Sequence, residues 1–200
     1  TMKIVYSPLN GSGNVPVRRI LSEVGFENVY IVKEQELPDS NFTTVGAAPN
    51  PENYSAFDLA RELAVKEDAD VIFATDPDCD RVGAAVRDGD DYVLISGNEM
   101  GVLLLDYLCA QRTKHGTMPK DPVFVKTIVT TDMAAKVAAH YGVRTVNVLT
   151  GFKFIGEVIK NHEACGNYSY LFGFEESYGY LKGSYARDKD AVVAAMLITE

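Results

Sequence analysis

The sequence predicts an α/β protein made of two consecutive domains with mixed, largely parallel sheets. Three observations carry that expectation. Short β-prone apolar runs alternate with amphipathic helical stretches along the whole length. The alternation restarts near Tyr92, after a turn-like Arg87–Asp91. Hydrophobic residues make up 46% of the 200, enough for two packed cores. The expected domains are therefore 1–92 and 93–200.

In the first unit, Lys3–Tyr6 reads as a strand and Pro8–Pro16 as a turn holding Gly11 and Gly13. Val17, Ile20, Leu21 and Val24 recur at helical spacing, and Gly25 stands where a helix stop is expected. Val29–Val32 is a second strand. From Glu34 to Asn53 the chain is polar and rich in Pro and Asn, a long connection of the kind that often carries function. Ser55–Glu67 is an amphipathic helix, Val71–Ala74 a strand, and Val82–Val86 resumes extended. The second unit opens with Val93–Ile95 and a helix within Gly97–Gln111. Strands at Val123–Val129, Thr145–Leu149 and Tyr170–Phe172 then alternate with helices at Asp132–Tyr141 and Phe154–His162, and a last helix begins near Lys189.

Composition removes several function classes. Nineteen basic against 28 acidic residues give a net charge of −9, and no Lys/Arg cluster breaks it, which argues against a nucleic-acid partner. No apolar run approaches the roughly 20 residues of a membrane span. Cys79, Cys109 and Cys165 form no CxxC pair, so the expectation is three reduced thiols in a cytoplasmic protein. His115, His140 and His162 share no metal-ligand spacing. The chain opens Thr1-Met2 and stops at Glu200 inside an apolar stretch, which reads as a piece of a longer protein.

Asp76, Asp78 and Asp80 stand at i, i+2 and i+4, just past the carboxyl end of a buried strand, where ligands of α/β sheets gather. Three carboxylates so close repel unless a cation sits among them, and all-oxygen ligands suit a hard ion, Mg²⁺ before Ca²⁺. An EF-hand counted from Asp76 fails, because Arg81 and Arg87 occupy the positions that need Gly and an acid. A haloacid-dehalogenase-type phosphatase also follows a strand with Asp-x-Asp, but expects Thr or Val where this chain has Asp80. Arg81 is read as a guanidinium aimed at a phosphate beside the metal rather than a plain salt bridge.

In the second unit, Gly173-Phe174-Glu175-Glu176-Ser177-Tyr178-Gly179 puts adjacent carboxylates beside a hydroxyl, able to exchange hydrogen bonds with a polyol. Thr150-Gly151-Phe152-Lys153 leaves a strand before a helix and offers backbone N–H groups and a cation to an anion. Arg187-Asp188-Lys189-Asp190 adds a basic pair. Gly11-Ser12-Gly13 begins like a dinucleotide fingerprint, but Pro16 replaces its third glycine.

Ser7–Gly13, Thr75–Arg81, Thr150–Phe154 and Gly173–Gly179 with Arg187–Asp190 behind fall into one order that resembles the α-D-phosphohexomutase family, most closely phosphoglucomutase/phosphomannomutase. The resemblance covers essentially the whole chain and corresponds to the second and third of that family's four domains. It implies the phosphoglucomutase domain type and transfer of a phosphoryl group between C1 and C6 of a hexose phosphate, through a phosphoserine and glucose 1,6-bisphosphate. Asp76, Asp78 and Asp80 would bind Mg²⁺, and Arg81 and Lys189 would lie by the reacting groups. Glu175 and Ser177 would grip the hexose O3 and O4, with Thr150, Gly151 and Arg187 lining the substrate. Asn10 stands where many relatives carry His, and Pro77 and Cys79 replace residues often found between the aspartates. No Thr-Ala-Ser-His-Asn-Pro-like string occurs, so the phosphoserine and the first and fourth domains are expected elsewhere, and the chain alone is expected to be inactive. Glucose is the preferred sugar. Phosphoglucosamine mutase, which shares Glu-x-Ser, a non-catalytic Mg²⁺ or sugar-phosphate binding module, and a haloacid-dehalogenase-type phosphatase are the alternatives.

Overall fold

The computed structural model describes residues 2–45 and 48–200. It contains two compact α/β units: one runs to Ser96 and takes back Ala191–Glu200, and the other is Gly97–Asp190. Of the long connection Glu34–Asn53, Gly46 and Ala47 lie outside the described residues.

The first unit holds β1 (Ile4–Ser7), α1 (Asn14–Glu23), β2 (Val29–Ile31), α2 (Asp58–Glu67), β3 (Val71–Thr75), β4 (Val82–Asp88) and β5 (Asp91–Ile95). The sheet order is β2-β1-β3-β4-β5, with β1 parallel to β2 and β3, and β4 antiparallel to β3 and β5. Val5, Ile72, Ala74 and Ala85 pack in one cluster with Ala60 and Ala64 of α2. The alternate side chains Ile4, Tyr6 and Phe73 are equally buried. Burial on both faces is why β1 and β3 read as apolar runs with little polar alternation.

The second unit holds α3 (Gly97–Lys114), β6 (Pro122–Thr127), α4 (Asp132–His140), β7 (Arg144–Val148), α5 (Phe152–Cys165), β8 (Ser169–Glu175) and β9 (Gly179–Lys182). Its sheet order is β7-β6-β8-β9, parallel until the antiparallel β8/β9 pair. Val123, Val125, Tyr170 and Leu181 pack with Phe152, Ile155 and Ile159 of α5. Phe124, Phe172 and Phe174 form a second apolar group, their ring centroids 5.6–6.4 Å apart.

Both sheets share one connectivity, since β6, β7, β8 and β9 repeat the pattern of β1, β2, β3 and β4. The aspartate loop joins β3 to β4 and the glutamate loop joins β8 to β9, so the two candidate loops fill equivalent hairpins. Each hairpin starts beside a topological switch point, where the chain leaves the central strand first to one side and then to the other.

Several boundaries differ from the sequence expectation. The expected division at Tyr92 falls inside β5, which pairs with β4 and completes the first sheet. The last helix, α6 (Ala191–Thr199), belongs to the first unit, where it packs on α1, and its Ala191 N–H donates to the Cys79 carbonyl at 3.3 Å. The turn at Arg87–Asp91 closes the β4/β5 hairpin. Strand β9 has no counterpart in the sequence reading, because four residues opening on a glycine merge with the preceding loop. Strand β6 ends at Thr127, leaving Ile128 and Val129 exposed. Among the described residues no helix is long and apolar enough to cross a membrane, and Cys79, Cys109 and Cys165 form no disulfide.

Candidate functional site

In the first unit the carboxylates of Asp76, Asp78 and Asp80 each bring an oxygen within 4.8 Å of the others. Burial decreases across the loop, with Asp76 only 2% exposed, Asp80 half-buried and Asp78 exposed. Asp76 organises the turn. Its Oδ1 accepts from the backbone N–H of Asp80 (3.1 Å) and Arg81 (3.0 Å), and its Oδ2 accepts from Arg81 Nε at 2.7 Å. Cys79 takes a left-handed φ of 61°, which turns the chain between the second and third aspartates. Burial pushes the Asp76 carboxyl up to about 6; the hydrogen bonds from Arg81 oppose that shift and the charge of Asp80 adds to it. A buried carboxylate beside two more is costly to ionise alone, and a hard divalent cation relieves both burial and repulsion. The donor set therefore fits Mg²⁺ or Ca²⁺.

Arg81 is held from the long connection as well as from its own loop. Its Nη1 donates to Asn50 Oδ1 (3.2 Å) and to Glu52 Oε1 (3.0 Å). Both partners escaped the sequence reading, although the composition of Glu34–Asn53 had marked the segment. The loop after β1 supports the hairpin from below. Ser12 N–H donates to the Pro77 carbonyl at 2.8 Å, and Asn10 Nδ2 donates to the Leu37 carbonyl at 2.7 Å, pinning the start of the long connection. Asn10 thus has a clear structural task.

Gly11 and Gly13 serve close packing rather than a dinucleotide. A Cβ on Gly13 would lie 2.6 Å from both Thr75 Oγ1 and Tyr6 Oη and 2.9 Å from Cys79 Sγ. Its φ of −68° suits any residue, so the constraint is space alone. Thr75 and Tyr6 are buried and joined by a 2.8 Å hydrogen bond, which leaves them little room to yield. Gly13→Ala is expected to cost about 1–3 kcal/mol of stability, the usual range for overpacking. Thermal unfolding checks the effect.

In the second unit Glu175, 6% exposed, ends β8. Its Oε1 accepts from the Gly151 N–H at 2.9 Å, at the N-terminus of α5, where the helix dipole favours an anion. Burial raises the Glu175 carboxyl, the Gly151 hydrogen bond and the Lys189 charge pull it down, and Glu176 and Asp188 push it up. Lys189 Nζ bonds Asp188 Oδ1 at 2.9 Å and lies 5.5 Å from the centre of the Phe152 ring. Its aliphatic stem crosses Gly179 so closely that a Cβ there would meet Cδ at 2.1 Å. Ser177 is half-buried, and no protein group bonds its hydroxyl among the described residues.

The structure thus brings Gly151, Glu175 and Lys189 together, with Ser177 two residues on in the same hairpin. Thr150 is adjacent but exposed. Arg187 bonds the Ser184 and Ala186 carbonyls and pairs with Glu163 of α5. It lines a groove with Lys189, Lys153 and Lys160 along that helix.

Models of the phosphoglucomutase/phosphomannomutase alpha/beta/alpha domain II and domain III match residues 1–89 and 96–200. The phosphoglucomutase of Staphylococcus saprophyticus is 40% identical over 199 residues, covering 99% of this chain and 35% of that protein. That of Staphylococcus aureus is 38% identical over 198 residues, 98% of this chain and again 35% of the relative. The chain therefore spans 35% of the length of these curated relatives. A phosphoglucomutase/phosphomannomutase family protein from Burkholderia thailandensis superposes with a TM-score of 0.75 at 18% identity, covering 98% of this chain and 38% of the other. The open form of Paramecium pp63/parafusin gives 0.66 at 20% identity, covering 99% and 33%. At such identities the two structures speak for the fold. With both domain models matched in order along nearly its whole length, the chain belongs to the phosphoglucomutase/phosphomannomutase family.

Proposed function

We propose that this chain supplies the metal loop and the sugar loop of a cytoplasmic phosphoglucomutase that interconverts hexose 1-phosphate and hexose 6-phosphate, with glucose preferred. The reaction runs through a phosphoserine and hexose 1,6-bisphosphate; the phosphoserine and the final phosphate-gripping domain come from other segments of the protein, and the chain alone does not turn over. The observation that carries this reading is the aspartate triad at the carboxyl end of β3 with Arg81 locked to its first member. The 40% identity to a phosphoglucomutase supports the choice of reaction.

A phosphoryl group in transfer spreads negative charge over its peripheral oxygens, so the protein's task is positioning and neutralisation. Asp76, Asp78 and Asp80 would hold Mg²⁺, which would supply a compact positive charge to offset that of the phosphoryl group. Arg81 has Nε on Asp76 and Nη1 on Asn50 and Glu52, which fixes the guanidinium plane and leaves Nη2 for a phosphate oxygen. Glu175 accepts from one ring hydroxyl while Gly151 holds its other side, Ser177 offers a hydroxyl to the neighbouring one, and Lys189 presents its ammonium to the substrate. Thr150 and Arg187 line the sugar phosphate.

Titration of the chain with Mg²⁺, then with glucose 1-phosphate, tests the reading. One Mg²⁺ site and measurable sugar-phosphate binding are expected. Release of inorganic phosphate that depends on Asp76 would instead favour a phosphatase.

A further inference from the structure

Two neighbouring glutamates in the sugar loop are held by different elements. Glu175 is tied to the N-terminus of α5 through Gly151. Glu176 is tied to the loop that leaves β6: its Oε2 accepts from Thr130 Oγ1 at 2.9 Å and from Thr127 Oγ1 at 3.4 Å. The two threonine hydroxyls are themselves 2.8 Å apart, and both residues are buried.

Behind them lies a lysine that is only 1% exposed. Lys126 Nζ donates to the Thr130 carbonyl at 2.6 Å and the Thr127 carbonyl at 3.1 Å, and pairs with Asp132 at 3.3 Å. Asn98 Oδ1 accepts from Thr131 N–H at 3.0 Å on the other side of the same loop. A buried ammonium satisfied by two carbonyls and a carboxylate makes that loop a stiff support. The hairpin Glu176–Tyr178 is therefore anchored at its first residue, immediately before Ser177, whose hydroxyl has no protein partner among the described residues.

We infer that Thr130, backed by Thr127, is a positioning residue for hexose specificity. It holds Glu176 and thereby fixes the Ser177 hydroxyl relative to the Glu175 carboxylate. The inference rests on the hexose-phosphate reading of that loop. Glucose and galactose differ only in the direction of the C4 hydroxyl, and a site separates them only if its donor and acceptor cannot follow the displaced oxygen. Glu176 is thus a staple rather than a sugar ligand, and its neighbours on both sides do the recognition.

The test compares binding of glucose 1-phosphate and galactose 1-phosphate, by titration calorimetry, to the wild type, Thr130→Val and Thr130→Ser. Thr130→Val, close in shape but without the hydroxyl, is expected to reduce the preference for glucose by about tenfold, the scale of one charge-assisted hydrogen bond. The thermal midpoint should stay near that of the wild type, and Thr130→Ser should retain the preference. A purely structural role would move the midpoint and leave the ratio of the two sugars unchanged. Full discrimination by Thr130→Val, with wild-type binding intact, would overturn this inference alone. Failure of the wild type to bind glucose 1-phosphate would overturn the hexose reading and this inference with it. If Thr130→Val does not fold, Glu176→Ala reads the same link from the other end, and retained discrimination there counts against it.

Discussion

Asp78→Asn should lower Mg²⁺ affinity at least about 100-fold, because even groups that merely orient metal ligands are worth about 10–100-fold and Asp78 is proposed as a ligand itself. The same change should leave the metal-free chain as stable as before or slightly more so. Asp78 is exposed and makes no hydrogen bond to the rest of the loop, whereas its charge repels Asp76 and Asp80. The opposite signs of the two effects separate a ligand from a structural residue. Asp76 cannot give so clean a contrast, since it holds the backbone N–H groups of Asp80 and Arg81 as well as the guanidinium. Calorimetric titration with Mg²⁺ and thermal unfolding in a chelator measure the two effects. Unchanged affinity would remove the metal assignment.

The second large effect is expected at Glu175. Glu175→Ala deletes a carboxylate that is buried, bonded to Gly151 and proposed to receive a sugar hydroxyl. Loss of about 10²- to 10³-fold in kcat/KM of the parent enzyme is expected, below the about 10⁴- to 10⁵-fold by which a site built for a hydroxyl rejects an analogue that lacks it. Glu175→Gln keeps an acceptor for Gly151 and should recover part of that loss. The partner N–H at the start of α5 is left unmet in the alanine variant, so a stability cost of about 1–3 kcal/mol accompanies it. Steady-state kinetics with glucose 1-phosphate beside thermal unfolding would show both. Equal kcat/KM for the glutamine and alanine variants would mean that the acceptor at this position does nothing for the sugar.

The parts of the site legible in the sequence are those carried by local spacing. Three carboxylates at every second position beyond an apolar strand mark a candidate cation site from spacing alone, and the fold brings their oxygens within 4.8 Å of one another. The alternation of strands and helices likewise declared two α/β units. What sequence could not supply is the partner at a distance. Arg81 is fixed by Asn50 and Glu52, 31 and 29 residues earlier, and Glu176 by Thr130, 46 residues earlier. No periodicity connects such positions. Lys126 is a second kind of failure, since a strand-end lysine reads as solvated until the backbone carbonyls that surround it are known. The pairing of β5 with the first sheet was hidden for a third reason: hairpin turns and turns between domains draw on the same Asp- and Gly-rich chemistry, so Arg87–Asp91 gave no sign of which it was.

The most direct test of the account is conversion of glucose 1-phosphate to glucose 6-phosphate by the parent protein that contains these residues, with Mg²⁺ and a trace of glucose 1,6-bisphosphate, and with mannose 1-phosphate and glucosamine 1-phosphate run alongside. Turnover that prefers glucose, collapses on chelation and is absent from the 200-residue chain by itself is the predicted result. A parent protein that binds Mg²⁺ and hexose phosphate yet converts none of the three sugars would contradict it and leave a binding module in its place.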